Sequence, residues 1–361
     1  MKPRSYSCII HRESPIARHV VSLYELRGIF FILQCISYLM MKPIILINPY
    51  NGMPLQETTA GLDDGHGQIF PLQDGVYRIV QHDHYTDNFS YQWKKFRTTQ
   101  IDKATGLSLS RDRFFAETGW DKEDLSGKNI LEVGSGAGRF TQIILDHTRA
   151  NLYSVDYSEA VFSNYKNNGP NERLKLFQAS LYEMPFAPGQ FDKVFCFGVL
   201  QHTPDVEKSV QKLIAMLKPG GELVVDFYPI TGWWTKLHAK YFLRPITRKM
   251  DNQQLYKKID RHADTLIRTY RFFSGIGLGR IANRFIPVCD IDGTLPKNLA
   301  PDKLREMVVL DTFDMFSPEY DQPKRIPEVV NWFNRYGMEK VWGGFIHYHN
   351  YRAAVVKGLK K

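Results

Sequence analysis

Cysteine is scarce. The 361-residue chain holds four, Cys8, Cys35, Cys196 and Cys289, scattered without a pairing pattern. That argues against a disulfide framework and suits a reducing cytosol. A spanning apolar run is missing as well. Gly28–Met41 is largely apolar but only 14 residues long, with Glu25 and Arg27 ahead of it. A membrane-crossing helix needs about 20 such residues. Ser37–Met40 offers no small-residue cleavage site, which argues against a secretory signal. Segment 1–41 therefore reads as an amphipathic anchor or, preferred, as a poorly ordered extension upstream of a start at Met40 or Met41. No Ser-His-Asp or paired-carboxylate arrangement of a hydrolase stands out. No recognised RNA-binding motif is present, so nucleic acid is a poor match as partner.

Enough apolar residue is present, 43%, for a sizeable core, and the length allows one large domain or two ordinary ones. The most informative stretch is ILEVGSGAGRF, Ile130–Phe140. Ile130, Leu131 and Val133 read as a buried parallel strand, and Phe140, Ile143, Ile144 and Leu145 recur at helical spacing. Strand, glycine turn and helix start make a cradle in which backbone N–H groups face a ligand. The dinucleotide fingerprint G-x-G-x-x-G/A is not completed, because Arg139 stands at its third glycine. The spacing is G-x-G-x-G, with Glu132 two residues ahead. A second strand, Leu152–Val155, ends at Asp156, 22 positions after Gly134. An acidic residue there suits a ribose hydroxyl acceptor. An adenosine joined to an amino acid would satisfy both features, which points to S-adenosylmethionine (SAM).

Four stretches occur in one order: LEVGSGAGRF, YSVDYS, LYEMPFAPGQFDKVFCFGVLQHTPD and LKPGGELVVD. In these, from about Leu125 to Asp226, the chain resembles the class I SAM-dependent methyltransferases (methyltransferase type 11-like). The resemblance implies an α/β, Rossmann-like sheet of seven strands, the last antiparallel. It implies that Glu132, Gly134, Ser135, Gly136 and Gly138 hold the methionine part and Asp156 the ribose. Tyr157 would lie against the adenine, and Gly198, Val199 and Leu200 would line the methionine side. Ser180 stands where many relatives have an Asp for the adenine amino group, beside Leu181; a hydroxyl accepts more weakly than a carboxylate. His202, just past the fourth strand, is the candidate general base, with Asp226 a weaker one. Trp93, Phe96, Arg97, Arg111 and Arg113 are candidate lid or substrate residues.

On either side the pattern departs from a minimal methyltransferase. Residues 42–85 alternate short strands with turns at Asn48-Pro49, Asn51-Gly52, Asp64-Gly65 and Asp74-Gly75. This resembles a small zinc ribbon, but asparagine, a poor zinc ligand, occupies both positions of the first knuckle, Asn48 and Asn51. A metal-free ribbon is expected, with His66, His82 and His84 as polar loop residues. The methyltransferase domain proper is expected over 86–361, with an insert at about 229–324. Within it, Lys236–Arg284 holds 12 Lys and Arg against 3 Asp. That excess equals the formal net charge of the whole chain, +9. Trp233, Trp234, Phe242 and Phe272 lie in the same region. Basic and aromatic residues together suit an anionic partner held by Arg244, Arg248 and Lys249, or peripheral contact with a membrane. The stretch LDTFDMFSPEYDQP, with Asp311, Asp314, Glu319 and Asp321, resembles a segment of some methyltransferases of surface-polysaccharide clusters. The expected acceptor is accordingly a small, glycan or lipid-linked anionic molecule, with a quinone or other lipid, or a SAM-binding protein without turnover, as alternatives.

Overall fold

The computed structural model describes residues 44–80, 86–297 and 299–361. The apolar stretch Gly28–Met41, the alternative starts and His82 and His84 lie outside these residues. Four short strands come first: β1 (Gln56–Thr58), β2 (Gly61–Asp63), β3 (Ile69–Gln73) and β4 (Val76–Arg78). Helices α1 (Asp87–Lys95) and α2 (Leu109–Thr118) lead into β5 (Asn129–Val133), α3 (Arg139–His147), β6 (Asn151–Asp156) and α4 (Ala160–Asn168). Then come β7 (Leu174–Gln178), β8 (Phe191–Cys196), α5 (Val206–Met216) and β9 (Leu217–Phe227). Beyond them α6 (Ala239–Thr247), α7 (Asn252–Gly275), α8 (Gly279–Phe285) and α9 (Pro301–Phe316) build the insert. The chain closes with α10 (Ile326–Arg335), β10 (Met338–Tyr348) and β11 (Tyr351–Lys360).

The seven strands expected from the sequence run in the order β7-β6-β5-β8-β9-β11-β10. β5 to β9 are mutually parallel, and β11 is antiparallel to both of its neighbours. Two-residue periodicity sorts their side chains. Leu131, Val133, Val194 and Val225 pack beneath α5 and α10, against Val210, Leu213 and Trp332. Ile130, Leu152, Phe195 and Val224 face the other side, against Phe114 of α2 and Phe140 and Ile143 of α3. A sheet buried on both faces reads as continuous apolar runs, which is why these strands were legible.

The ribbon is not a separate body in front of the sheet. β4 pairs in parallel with β7, and β3, β2 and β1 continue outward, so the sheet has eleven strands rather than seven. Asp74 and Gly75 both have positive φ, 47° and 77°, the geometry that suits a tight hairpin between β3 and β4. The Asn48–Asn51 turn has its own hub. The side-chain amides of Asn48 and Asn51 each donate to Asp64 Oδ2 at 2.9 Å, and the backbone N–H groups of His66 and Gln68 donate to its Oδ1. These donors hold the Asp64 carboxyl well below its usual range. His66 is exposed, and no cluster of potential metal ligands occurs among the described residues.

The insert leaves and rejoins the domain at one point. Pro229 and Lys324 form a parallel bridge, and Lys324 N–H donates to the Tyr228 carbonyl at 2.9 Å. Between them α7 and α9 pack together through Leu255, Ile259, Val309 and Phe313, with Phe96 from the segment after α1 filling the same core. No helix among the described residues is long and apolar enough to cross a membrane.

Candidate active site

The strand ends, α1, α2 and the insert enclose a cavity of about 1350 Å³. Its floor is the loop between β5 and α3. Gly134, Gly136 and Gly138 all have positive φ, at 82°, 53° and 86°. A Cβ on Gly134 would come within 2.1 Å of Val199 Cγ2, and one on Gly138 within 2.1 Å of Asn164 Oδ1. Glycine is therefore required by conformation and by space at both. The loop is pinned by Gly134 N–H to the Val155 carbonyl at 2.7 Å and Gly136 N–H to Asp156 Oδ2 at 2.7 Å.

The sequence-predicted cofactor residues divide into two layers. Gly134, Ser135, Gly136, Asp156, Tyr157, Leu181, Gly198 and Val199 line the cavity. Asp156 also accepts from Ser158 N–H and Oγ–H, so three of its roughly four acceptor sites are taken and one is left for a ligand hydroxyl. Glu132, Gly138 and Leu200 do not reach the wall. Glu132 lies under the loop, where Thr141 Oγ and Ser154 Oγ donate to its Oε2 and its Oε1 has no partner. Burial lifts this carboxyl to about 7 against the effect of those donors. Ser180 departs from its expected place as well. Its Oγ is turned into the following turn, accepting from Tyr182 N–H at 3.2 Å, and the adenine side is lined by Ala179 and Leu181 instead.

A methionine-linked adenosine suits what remains. Gly134, Gly136 and Gly138 bring no Cβ to the loop, Ser135 Oγ is buried without a partner among the described residues, and Asp156 keeps an open acceptor site.

His202 also lines the cavity, in the helical turn that follows Val199. Its Nδ1 lies 3.0 Å from the Tyr320 carbonyl and must donate to it, which fixes the tautomer. Nε2 then carries a lone pair, is buried, and has no hydrogen-bond partner among the described residues. The ring is held between Phe89 at 5.4 Å and Tyr228 at 5.6 Å. Burial pushes its pKa below the ordinary value, partly opposed by Asp314 and the Tyr320 carbonyl. A neutral imidazole with one unshared lone pair can accept a proton.

Other charged side chains gather at the cavity. Arg113 donates from Nε to Glu117 at 3.0 Å and from Nη2 to Asp226, so one guanidinium serves two buried carboxylates. Burial, with Asp226 nearby, pushes the Glu117 carboxyl up even so. Asp226 is committed further by Gly198 N–H, which fits support of the strand-end loop better than proton transfer. Arg139 lines the cavity and donates to Ser110 Oγ and Gln100 Oε1, with no carboxylate paired to it among the described residues. Burial and Arg113 lower its pKa to about 10, so it remains charged at neutral pH. Asp311 also lines the wall, without a hydrogen bond among the described residues, and burial beside Asp314 lifts it to about 7.

The expected lid residues separate in the same way. Trp93, Arg97 and Arg113 line the cavity, and Trp93 Nε1 lies 3.1 Å from where a Gly136 Cβ would be. Phe96 is core, 6% exposed, and Arg111 pairs with Asp112 outside. Sequence reading missed Glu117, Arg139, Tyr348 and Tyr351. The tyrosines flank the turn between β10 and β11 and stand 5.1 Å apart at the cavity rim. Two aromatics bracketing His349-Asn350 were the available signal.

Residues 131–225 match the family model for a methyltransferase domain. A ubiquinone biosynthesis O-methyltransferase from Coxiella burnetii is 33% identical over 101 residues, 27% of this chain and 43% of that protein. A tRNA U34 carboxymethyltransferase from Nautilia profundicola is 31% identical over 112 residues, 30% of this chain and 37% of that one. The chain thus spans less than half the length of these curated relatives. The magnesium protoporphyrin IX methyltransferase structure from Synechocystis superposes with a TM-score of 0.43 at 12% identity, covering 76% of this chain and 97% of that one. Strand order, glycine loop and family match coincide in residues 131–225, which form a methyltransferase domain.

Proposed function

We propose that the protein methylates a hydroxyl group, with His202 as general base. One observation carries this reading: the buried, partnerless Nε2 of an imidazole whose other nitrogen is committed to a backbone carbonyl. When bound, SAM supplies an activated methyl, so alignment of the acceptor does much of the work. The glycine loop, Ser135 and Asp156 would hold it. His202 Nε2 would take the hydroxyl proton, and the imidazolium so formed would be eased by nearby Asp314. Arg139, lacking a carboxylate partner, is placed to hold an anionic group of the acceptor.

Two acceptor classes fit. The 33% identity to a ubiquinone biosynthesis O-methyltransferase, confined to 101 residues, favours a phenol on a lipid. Asp311 and Asp314, with Tyr228, Tyr348 and Tyr351 on the same wall, favour a sugar, whose hydroxyls donate to carboxylates and whose ring stacks on aromatics. Calorimetric titration with SAM, S-adenosylhomocysteine and NAD comes first, with Asp156→Ala as control. Binding of the first two alone, lost in the variant, is the expected result. Labelled methyl transfer to a polyprenylated phenol and to a polyprenyl-phosphate-linked sugar then separates the acceptors. Absence of SAM binding would overturn the reading.

A further inference from the structure

The insert carries an apolar face that water should not favour. Eleven of the sixteen exposed large hydrophobic side chains among the described residues lie between Trp233 and Phe285. Trp233 is 80% exposed, Phe242 65%, Ile246 67% and Phe285 64%. Helix α6 is inverted for a helix bathed in water. It turns Phe242 and Ile246 outward and buries Arg244, which is 7% exposed and donates to the Met315 and Pro318 carbonyls. Arg244 therefore cannot meet a partner, contrary to the expectation from sequence. Arg248 and Lys249, next along the chain, are exposed.

These elements adjoin one another. Arg284 of α8 donates to the Trp234 and Leu237 carbonyls, and α8 packs on α7 and α6. Arg268, Arg271 and Arg280 are exposed on α7 and α8. The cavity reaches the same place, since Thr235 and Tyr241 line it together with Arg280 and Asn283. Large apolar side chains ringed by cations, with tryptophans among them, match the chemistry of an anionic lipid surface: apolar groups enter below the headgroups while arginine and lysine meet the phosphates. A protein partner would satisfy the apolar groups equally. It would give no reason for the surplus of positive charge around them.

We infer that the face formed by Trp233–Leu237, α6, the end of α7 and α8 docks on an anionic phospholipid bilayer and holds one end of the cavity against the lipid. The docking deepens the proposed function, because an acceptor anchored in the bilayer would enter without leaving it. It is tested without turnover. The full chain is sedimented with phosphatidylcholine vesicles and with mixed phosphatidylcholine–phosphatidylglycerol vesicles. Strong binding to the mixed vesicles and weak binding to the neutral ones is expected. The triple variant Trp233→Ser, Phe242→Ser, Ile246→Ser should lose at least about tenfold in partition, since each apolar group contributes on its own. Arg248→Gln with Lys249→Gln should lose on the order of 25-fold, at about fivefold per charge. Circular dichroism melting of both variants should match the parent, as all five positions are exposed. Absence of binding to the mixed vesicles would overturn the inference, as would undiminished binding by the triple variant. So would a parent dimer, seen by light scattering, that the triple variant dissolves while neither binds lipid. S-adenosylhomocysteine binding without lipid binding would sink docking and leave methyl transfer standing; the opposite pair of results would do the reverse.

Discussion

Replacement of His202 by Asn separates its chemistry from its structural role. The Asn amide can still donate to the Tyr320 carbonyl, in place of Nδ1–H at 3.0 Å, but nothing replaces Nε2. Loss of a positioned general base costs about 10²–10⁴ in rate, or roughly 3–5 kcal/mol of barrier. The single-turnover rate of labelled methyl transfer should fall by that factor, while S-adenosylhomocysteine affinity, set by the glycine loop and Asp156, stays unchanged. The pH profile adds a second readout. The base must be unprotonated, and burial depresses its pKa. The parent rate should therefore hold as pH falls through the ordinary histidine value of about 6.5 and decline only below it; the variant should lack that limb. Stability has the matching sign. The unfolded chain takes up this proton near pH 6.5 and the folded chain resists it, so the His202 contribution is intact above about 6.5 and lost as pH falls. An unchanged rate, or equal losses of rate and ligand affinity, would refute the assignment.

Other perturbations follow from single contacts. Gly134→Ala combines a φ of 82° with a Cβ 2.1 Å from Val199; roughly 2–5 kcal/mol of destabilisation is expected from backbone strain and overpacking, read by thermal melting alongside weakened S-adenosylhomocysteine binding. Asn48→Ala removes a buried donor to Asp64 and an acceptor for Tyr50 N–H, which should cost about 1–3 kcal/mol in a denaturant titration. Asp311, lifted from 3.8 to about 7, keeps its proton in the folded state across that interval, so its ionisation penalty appears as pH rises from about 4 to 7. Because solvent in the cavity screens part of it, Asp311→Asn should be more stable than the parent by about 1–4 kcal/mol above pH ~7, with the advantage vanishing below pH ~4. Equal melting temperatures at both ends would contradict that.

The doubly wound core was legible because its signals are local. Ile130–Val133 is a buried strand, and three glycines with an acid 22 positions on describe a turn and its acceptor. What depends on distant partners was not legible. Ser180 matched an adenine contact by position, yet it accepts from Tyr182 N–H two residues on and does not line the cavity. Glu132 was assigned to the ligand, but Thr141 and Ser154, from other elements, draw it under the loop. The basic insert was visible as a charge count, and composition could not reveal that Lys240 and Arg244 are turned inward. Lys240 pairs with Asp321 at 2.9 Å and lies 4.6 Å over the Tyr228 ring.

The union of β4 with β7 bears on how the protein can be cut. β6 occupies one side of β7 and β4 the other, with Val76, Tyr77 and Arg78 in register with Leu176, Phe177 and Gln178. The small meander is thus the guard on a flank that would otherwise present bare N–H and C=O groups, open to any passing strand. A chain shortened to begin at Thr86 would not be a leaner enzyme. It would be a sticky one, with Leu176 and Phe177 on an unguarded flank, and the meander would be missed for its backbone alone.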